Sequence, residues 1–122
     1  METERIQEVN DTAKYINSII GSQMAVRMSW GFIDPAAILY NDMPALQFHV
    51  AGFQHQGNVV VALNEGADLF DIFLLKRNGK IKKHIDGVYF DELLSVLDRN
   101  IETGNMSADQ YQEKVNNAVY SI

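Results

Sequence analysis

The sequence predicts an α+β domain: an N-terminal helix, an antiparallel meander of about five strands, then two C-terminal helices. Three observations carry this. Apolar residues recur at steps of three and four up to Ile20, alternate or cluster in short runs between about 24 and 86, and return to helical spacing after Gly87. Asn78-Gly79 lies between two strand-like runs, and this pair closes a two-residue hairpin loop with little strain because it tolerates positive φ at both positions. Ser107-Ala108-Asp109-Gln110 is a capping box, a helix start written in the side chains.

Ile6, Val9, Ala13, Ile16 and Ile20 form one stripe, so a helix is expected from about Thr3 to Ile20, stopped at Gly21. Met24, Val26, Met28 and Trp30 then alternate with Ala25, Arg27 and Ser29, which is strand periodicity; a helix through Met24 and Met28 at i+4 is the rival reading. Gly31 to Pro44 is the least regular stretch. There Asp34-Pro35 resembles an N-cap followed by proline at the first helical position, with one helical turn through Ala36 to Tyr40.

The strand from about Leu46 to Phe53 sets Leu46, Phe48 and Val50 on one face and Gln47 and His49 on the other. Val59 to Leu63 is an apolar run suited to a central strand covered on both faces. In the next strand Phe70, Ile72 and Leu74 alternate with Asp71, Phe73 and Leu75, again apolar on both sides. A two-residue loop at Asn78-Gly79 implies the pairs Arg77/Lys80, Lys76/Ile81, Leu75/Lys82, Leu74/Lys83, Phe73/His84 and Ile72/Ile85, with Ile81 on the face of Ile72 and Leu74. After Gly87, Phe90, Leu93, Leu94, Leu97 and Ile101 form a helical stripe over about 90 to 103, and a last helix runs over about 107 to 121.

At 122 residues the chain fits one domain spanning residues 1–122, large enough to fold without covalent staples. Cysteine is absent, which excludes disulfides, thiolate metal sites and cysteine nucleophiles and suits a reducing cytoplasm. The charged N-terminal segment fits neither a signal peptide nor a membrane span, so no membrane partner is expected. Net charge is −6, from ten basic and sixteen acidic residues, which opposes generic attraction to polyanions. The distribution is uneven. Lys76, Arg77, Lys80, Lys82 and Lys83 place half of all the cations in eight consecutive residues without a carboxylate among them.

No motif calls for a reaction or a cofactor. G-x-S-x-G, P-loop and G-x-G-x-x-G patterns do not occur, and the reading is non-enzymatic. His49, His55 and His84 have no zinc-site spacing and read as ordinary surface histidines, His84 stacking on Phe73 across the strands. Glu65, Asp68 and Asp71 beside Gly66 superficially resemble a calcium loop but lack its alternating oxygen ligands, so a solvated turn with Asp71 facing water is expected.

The chain resembles a family of short phage, prophage and conjugative-element proteins that carry no assigned function. The residues that carry the resemblance are Thr12-Ala13-Lys14 through Ile20-Gly21, Met24 to Trp30, Val59 to Asn64, Asp68 to Phe73 and, above all, Gly87-Val88-Tyr89-Phe90-Asp91-Glu92-Leu93. It spans about 12 to 102, and the family's methionine-threonine-glycine stands here as Met28-Ser29-Trp30-Gly31. What it implies is an accessory protein of a mobile element; it transfers no catalytic residue.

Two partner surfaces follow from the residues themselves. The basic hairpin, Lys76, Arg77, Lys80, Lys82 and Lys83, is a candidate contact for nucleic acid or an acidic protein, with protection of a sheet edge as the competing role. The apolar excess of the central strands requires cover on both faces. If the helices all pack on one face, a second copy is the economical cover for the other, with Phe73, Leu75, Tyr111, Val115 and Ile122 as candidates for self-association. The expected assembly is a homodimer that engages an as yet unidentified protein partner; nucleic-acid binding through the hairpin ranks second.

Overall fold

A computed structural model describes residues 3–120, with the backbone alone for Val119 and Tyr120. It has the expected α+β architecture. Helix α1 (Thr3–Ile20) buries Val9, Ala13, Ile16 and Ile20, while Ile6 at its first turn stays exposed. Arg5 fixes this end of the helix against two turns of the sheet, pairing with Glu65 at 3.1 Å and donating to the Asp42 carbonyl at 2.9 Å.

Strands β1 (Ile33–Tyr40), β2 (Met43–Ala51), β3 (Gln56–Asn64), β4 (Leu69–Leu75) and β5 (Ile81–Val88) form one antiparallel meander in the order β1-β2-β3-β4-β5. The central position of β3 explains its apolar run, with Val59, Val60, Val61 and Ala62 all fully buried.

Two expectations for residues 24–40 are overturned. Met24–Ser29 is a short helix, α2, rather than a strand. Its apparent alternation arises because Met24 and Met28, one helical turn apart, both face solvent, at 51 % and 72 % exposed, while Trp30 just beyond the helix is fully buried. The stretch through Ala36 to Tyr40 is edge strand β1 instead of a helical turn. Asp34 has φ +57°, which no N-cap geometry requires, and Pro35 sits on an edge strand, where its missing N–H breaks no ladder bond. The strand ends in a two-residue loop, Asn41-Asp42, at φ +49° and +63°, flanked by the pair Tyr40/Met43.

The β4–β5 hairpin keeps the predicted pairs Leu74/Lys83, Phe73/His84 and Ile72/Ile85. Its tip differs. Lys76 N donates to Lys80 O and Gly79 N to Lys76 O, so the loop has three residues, Arg77-Asn78-Gly79, with Gly79 alone at positive φ (+84°). The extra loop residue pairs Leu75 with Ile81, and a bulge between Leu74 and Leu75 restores the register. Ile81 therefore leaves the face of Ile72 and Leu74, and is half exposed.

Helix α3 (Leu93–Asp98) continues into a π-helical segment, Arg99–Thr103, and Leu93, Leu97 and Ile101 are fully buried. Phe90 lies before the helix and is 63 % exposed, so the predicted stripe loses its first member. Helix α4 (Ala108–Tyr120) opens with the capping box as read: Gln110 N donates to Ser107 Oγ at 3.1 Å, and Ser107 N to Gln110 Oε1 at 2.9 Å.

The main core joins α1, Trp30, α3 and the π segment to the inward residues of the sheet, including Leu46, Phe48, Val50, Val59, Val61, Ile72 and Leu74. Leu97→Ala should lower the unfolding free energy by about 2–5 kcal/mol in urea titration, and a loss under about 0.5 kcal/mol would contradict this packing. A Cβ at Gly79 would meet no atom within 4 Å, so Gly79→Val should cost only backbone strain, about 1–3 kcal/mol by the same titration.

Candidate functional site

The two surfaces predicted from sequence meet at the β4–β5 hairpin, whose cations form the first and whose Phe73 and Leu75 belong to the second. The first is the β4–β5 hairpin. Its five cations form no ion pair with a carboxylate among the described residues. Lys76, Arg77 and Lys80 surround the exposed tip. The ammonium groups of Lys82 and Lys83 turn instead toward neutral acceptors. Lys83 Nζ donates to Asn100 Oδ1 at 2.9 Å, and Lys82 Nζ to the Gln54 carbonyl at 3.1 Å.

These contacts bring the hairpin against the junction between the β2–β3 connection and the π segment. The junction is built from backbone. Ile101 O accepts from both Gln54 N (2.9 Å) and His55 N (3.2 Å), and Glu102 Oε1 accepts from Phe53 N (2.9 Å). Gly52 allows the approach, because a Cβ there would lie 2.2 Å from Ile101 O. Glu102, buried at 5 % exposure, also accepts from Tyr111 Oη at 2.7 Å, which ties α4 to the same place. Burial, helped by that bond to a carboxylate, pushes the Tyr111 hydroxyl up to about 12.

His55 is buried in this junction rather than at the surface. Its Nε2 lies 3.1 Å from the Asn58 carbonyl, which can only accept, so Nε2 carries the proton and Nδ1 is free to accept from Lys82 Nζ at 3.4 Å. Burial lowers its pKa, and the nearby Lys82 charge acts in the same direction.

The second surface is the sheet face opposite the main core. Ala45, Val60, Ala62, Phe73 and Leu75 form a separate apolar cluster flanked by Ile38, Tyr40 and Met43, and no residue of a described helix belongs to it. Its cover comes from the sheet's own side chains. The His84 ring stacks on Phe73 at 4.3 Å and 10°, as predicted, and Tyr40 leans on the same ring at 4.7 Å. Phe73 and Leu75 are consequently only 3 % and 6 % exposed, while Ile38, Tyr40 and Met43 remain partly accessible.

The proposed self-association residues are thus not brought together. Phe73 and Leu75 lie on this face, whereas Tyr111 points into the Glu102 junction and packs edge-on against Phe53 at 6.0 Å. Val115 is half-buried on α4, and Ile122 lies outside the described residues. The three carboxylates beside Gly66 also separate. Glu65 pairs with Arg5, and Asp71 does not face water: it is 8 % exposed, with its Oδ1 3.4 Å from Gly87 N. No cluster of three metal-ligating His, Asp or Glu side chains occurs among the described residues.

Sequence reasoning missed Glu102, Asp98 and Arg99. Asp98 accepts from Trp30 Nε1 at 2.9 Å, and Arg99 faces the recess beside Lys82 and Lys83. Only the helical stripe placed this segment, and that stripe says nothing of its polar side.

Because His55 binds its proton less readily folded than unfolded, stability should be full above about pH 6.5 and fall as pH drops toward the lower folded value. Urea midpoints at pH 8, 6.5 and 5 should show this decline, and His55→Asn should flatten it; an unchanged acid limb in the variant would contradict the assignment. Compared with protein-family models, with curated proteins and with solved structures, the chain matches none.

Proposed function

We propose that this chain is a non-enzymatic protein-interaction module that pairs with a second copy of itself through the second sheet face. The observation that carries the reading is the one-sided placement of the described helices, none of which lies over the cluster of Ile38, Tyr40, Met43, Ala45, Val60, Ala62 and Phe73. Charge favours a copy as the occupant. A twofold partner brings the same charges to the contact, and in a chain of net −6 most surfaces would repel themselves. None of these seven residues is an Asp, Glu, Lys, Arg or His, and the carboxylate paired across from Ala62, Asp71, is buried beside Gly87 N. The resemblance to short proteins of mobile elements is consistent with an accessory role in the cytoplasm, exercised through an assembled dimer and a protein partner.

A second reading has its own support. The five hairpin cations lack carboxylate partners among the described residues, which suits contact with nucleic acid. Salt-dependent retention on a DNA column, lost on replacing Lys76, Arg77 and Lys80 by glutamine, would favour it over self-association.

Sedimentation equilibrium should give twice 13.8 kDa at micromolar concentration. Ile38→Glu, at a partly exposed position, should return the chain to monomer by placing two like charges in one interface. A wild-type chain that remains monomeric up to about 100 μM would overturn the proposal.

A further inference from the structure

The hairpin contributes to a second feature that self-association does not use. Between the start of β5, the π segment and the β2–β3 connection lies a recess of about 300 Å³, lined chiefly by Gln54, Lys82, Lys83, Arg99, Asn100 and Asn105. We propose that it is a binding site for a compact phosphate-bearing ligand, a phosphomonoester or diphosphate, held by Lys82, Lys83 and Arg99.

The charge of the recess favours an anion. Three cations from two distant segments line one recess, and among the described residues no Asp or Glu lines it. Like charges gathered in this way repel unless an anion lies between them. Their donors are also left over. Arg99 is exposed, and its guanidinium makes no hydrogen bond or ion pair among the described residues, so its planar fork is free for a bidentate oxyanion. Lys83 engages a single acceptor, Asn100, which positions the ammonium and leaves two N–H donors.

The backbone walls of the recess are also fixed. Arg99 and Asn100 belong to the π-helical segment, a helix form found frequently at functional sites. That segment is clamped to the β2–β3 connection by the two amides on Ile101 O, and Lys82 reaches the same connection through Gln54 O and His55 Nδ1. A ligand here would meet two lysine ammonium groups already held in place, so that mainly the Arg99 side chain is left to order.

Size and net charge select a compact ligand over a polymer. The volume is at the small end of ligand pockets, enough for one or two phosphate groups. A long polyanion leaving the recess would run onto a chain of net −6. The recess lies on the helix-covered side, at Leu74 and Lys83, so it does not depend on the second sheet face.

The test is an amide NMR titration of the full chain with inorganic pyrophosphate at low salt. We expect saturable one-site shifts concentrated at Gln54, Lys83, Arg99, Asn100 and Asn105, with Kd of about 1 mM or tighter. Arg99→Gln should weaken binding at least about tenfold without lowering the melting temperature, because Arg99 is exposed and unbonded. Arg99→Lys should fall between. Shifts that rise linearly without saturation, or an Arg99→Gln variant that binds as well as wild type, would overturn the site. Tight, salt-dependent binding of a single-stranded oligonucleotide with no pyrophosphate binding would also overturn it, and would assign these cations to nucleic acid.

Discussion

A five-stranded sheet has two faces to bury, and the described helices of this chain meet only one of them. Much of the architecture follows from that constraint. The covered face collects α1, Trp30, α3 and the π segment over Phe48, Val59, Val61 and Ile72, and there the hydrophobic driving force is largely satisfied. The other face must reduce its exposed apolar area with what the sheet itself provides. Small residues, Ala45 and Ala62, sit at its centre, and the Tyr40, Phe73 and His84 rings pack side by side next to them. This arrangement shields the middle of the face and leaves its margin, Ile38, Tyr40 and Met43, partly open.

The carboxy-terminal third is joined to the sheet by a different kind of interaction. Ile101 supplies a buried methyl-bearing side chain to the core and a carbonyl to two amides of the β2–β3 connection, while its neighbour Glu102 binds Phe53 N and Tyr111 Oη. Backbone polar groups in a buried connection need partners, and here the π segment provides them. The same geometry sets Arg99 on the outer side of that segment, beside the lysines at the start of β5. Packing requirements on one side of the π segment thus produce a charge cluster on the other.

The parts of the fold legible in the sequence are those where one pattern dominates. The stripe Val9, Ala13, Ile16 and Ile20 placed α1, and Leu93, Leu97 and Ile101 placed the helix after Gly87. Alternation gave the correct faces for Leu46, Phe48 and Val50, and reciprocal capping at Ser107 and Gln110 is present as read. Where two patterns coincide, sequence reasoning chose wrongly. Met24 and Met28 satisfy both a strand and a helix, and only solvent on their side distinguishes the two. Asp34-Pro35 imitates a helix start, while the stronger signal, Asn41-Asp42 after the strand-forming Ile38-Leu39-Tyr40, went unread. At the basic hairpin the turn type decided the register near the tip, and Asn-Gly is compatible with a loop of three residues as well as two. The candidate site was legible only in its lysines. Gln54 meets Lys82, Asn100 meets Lys83, and Arg99 shares their recess only because segments far apart in sequence come together, and no local spacing encodes that.

In the proposed assembly the two sheet faces divide the work, one holding the fold together and the other meeting a second copy. The most direct measurement is an isotope-filtered NOE experiment on a mixture of ¹³C-labelled and unlabelled chains. Pairing through the second face should give intermolecular NOEs from the methyl groups of Ile38 and Met43 to the Tyr40 and His84 rings of the other copy, and none from Leu97 or Ile101. Intermolecular NOEs confined to α4, or to the exposed methionines of α2, would contradict it.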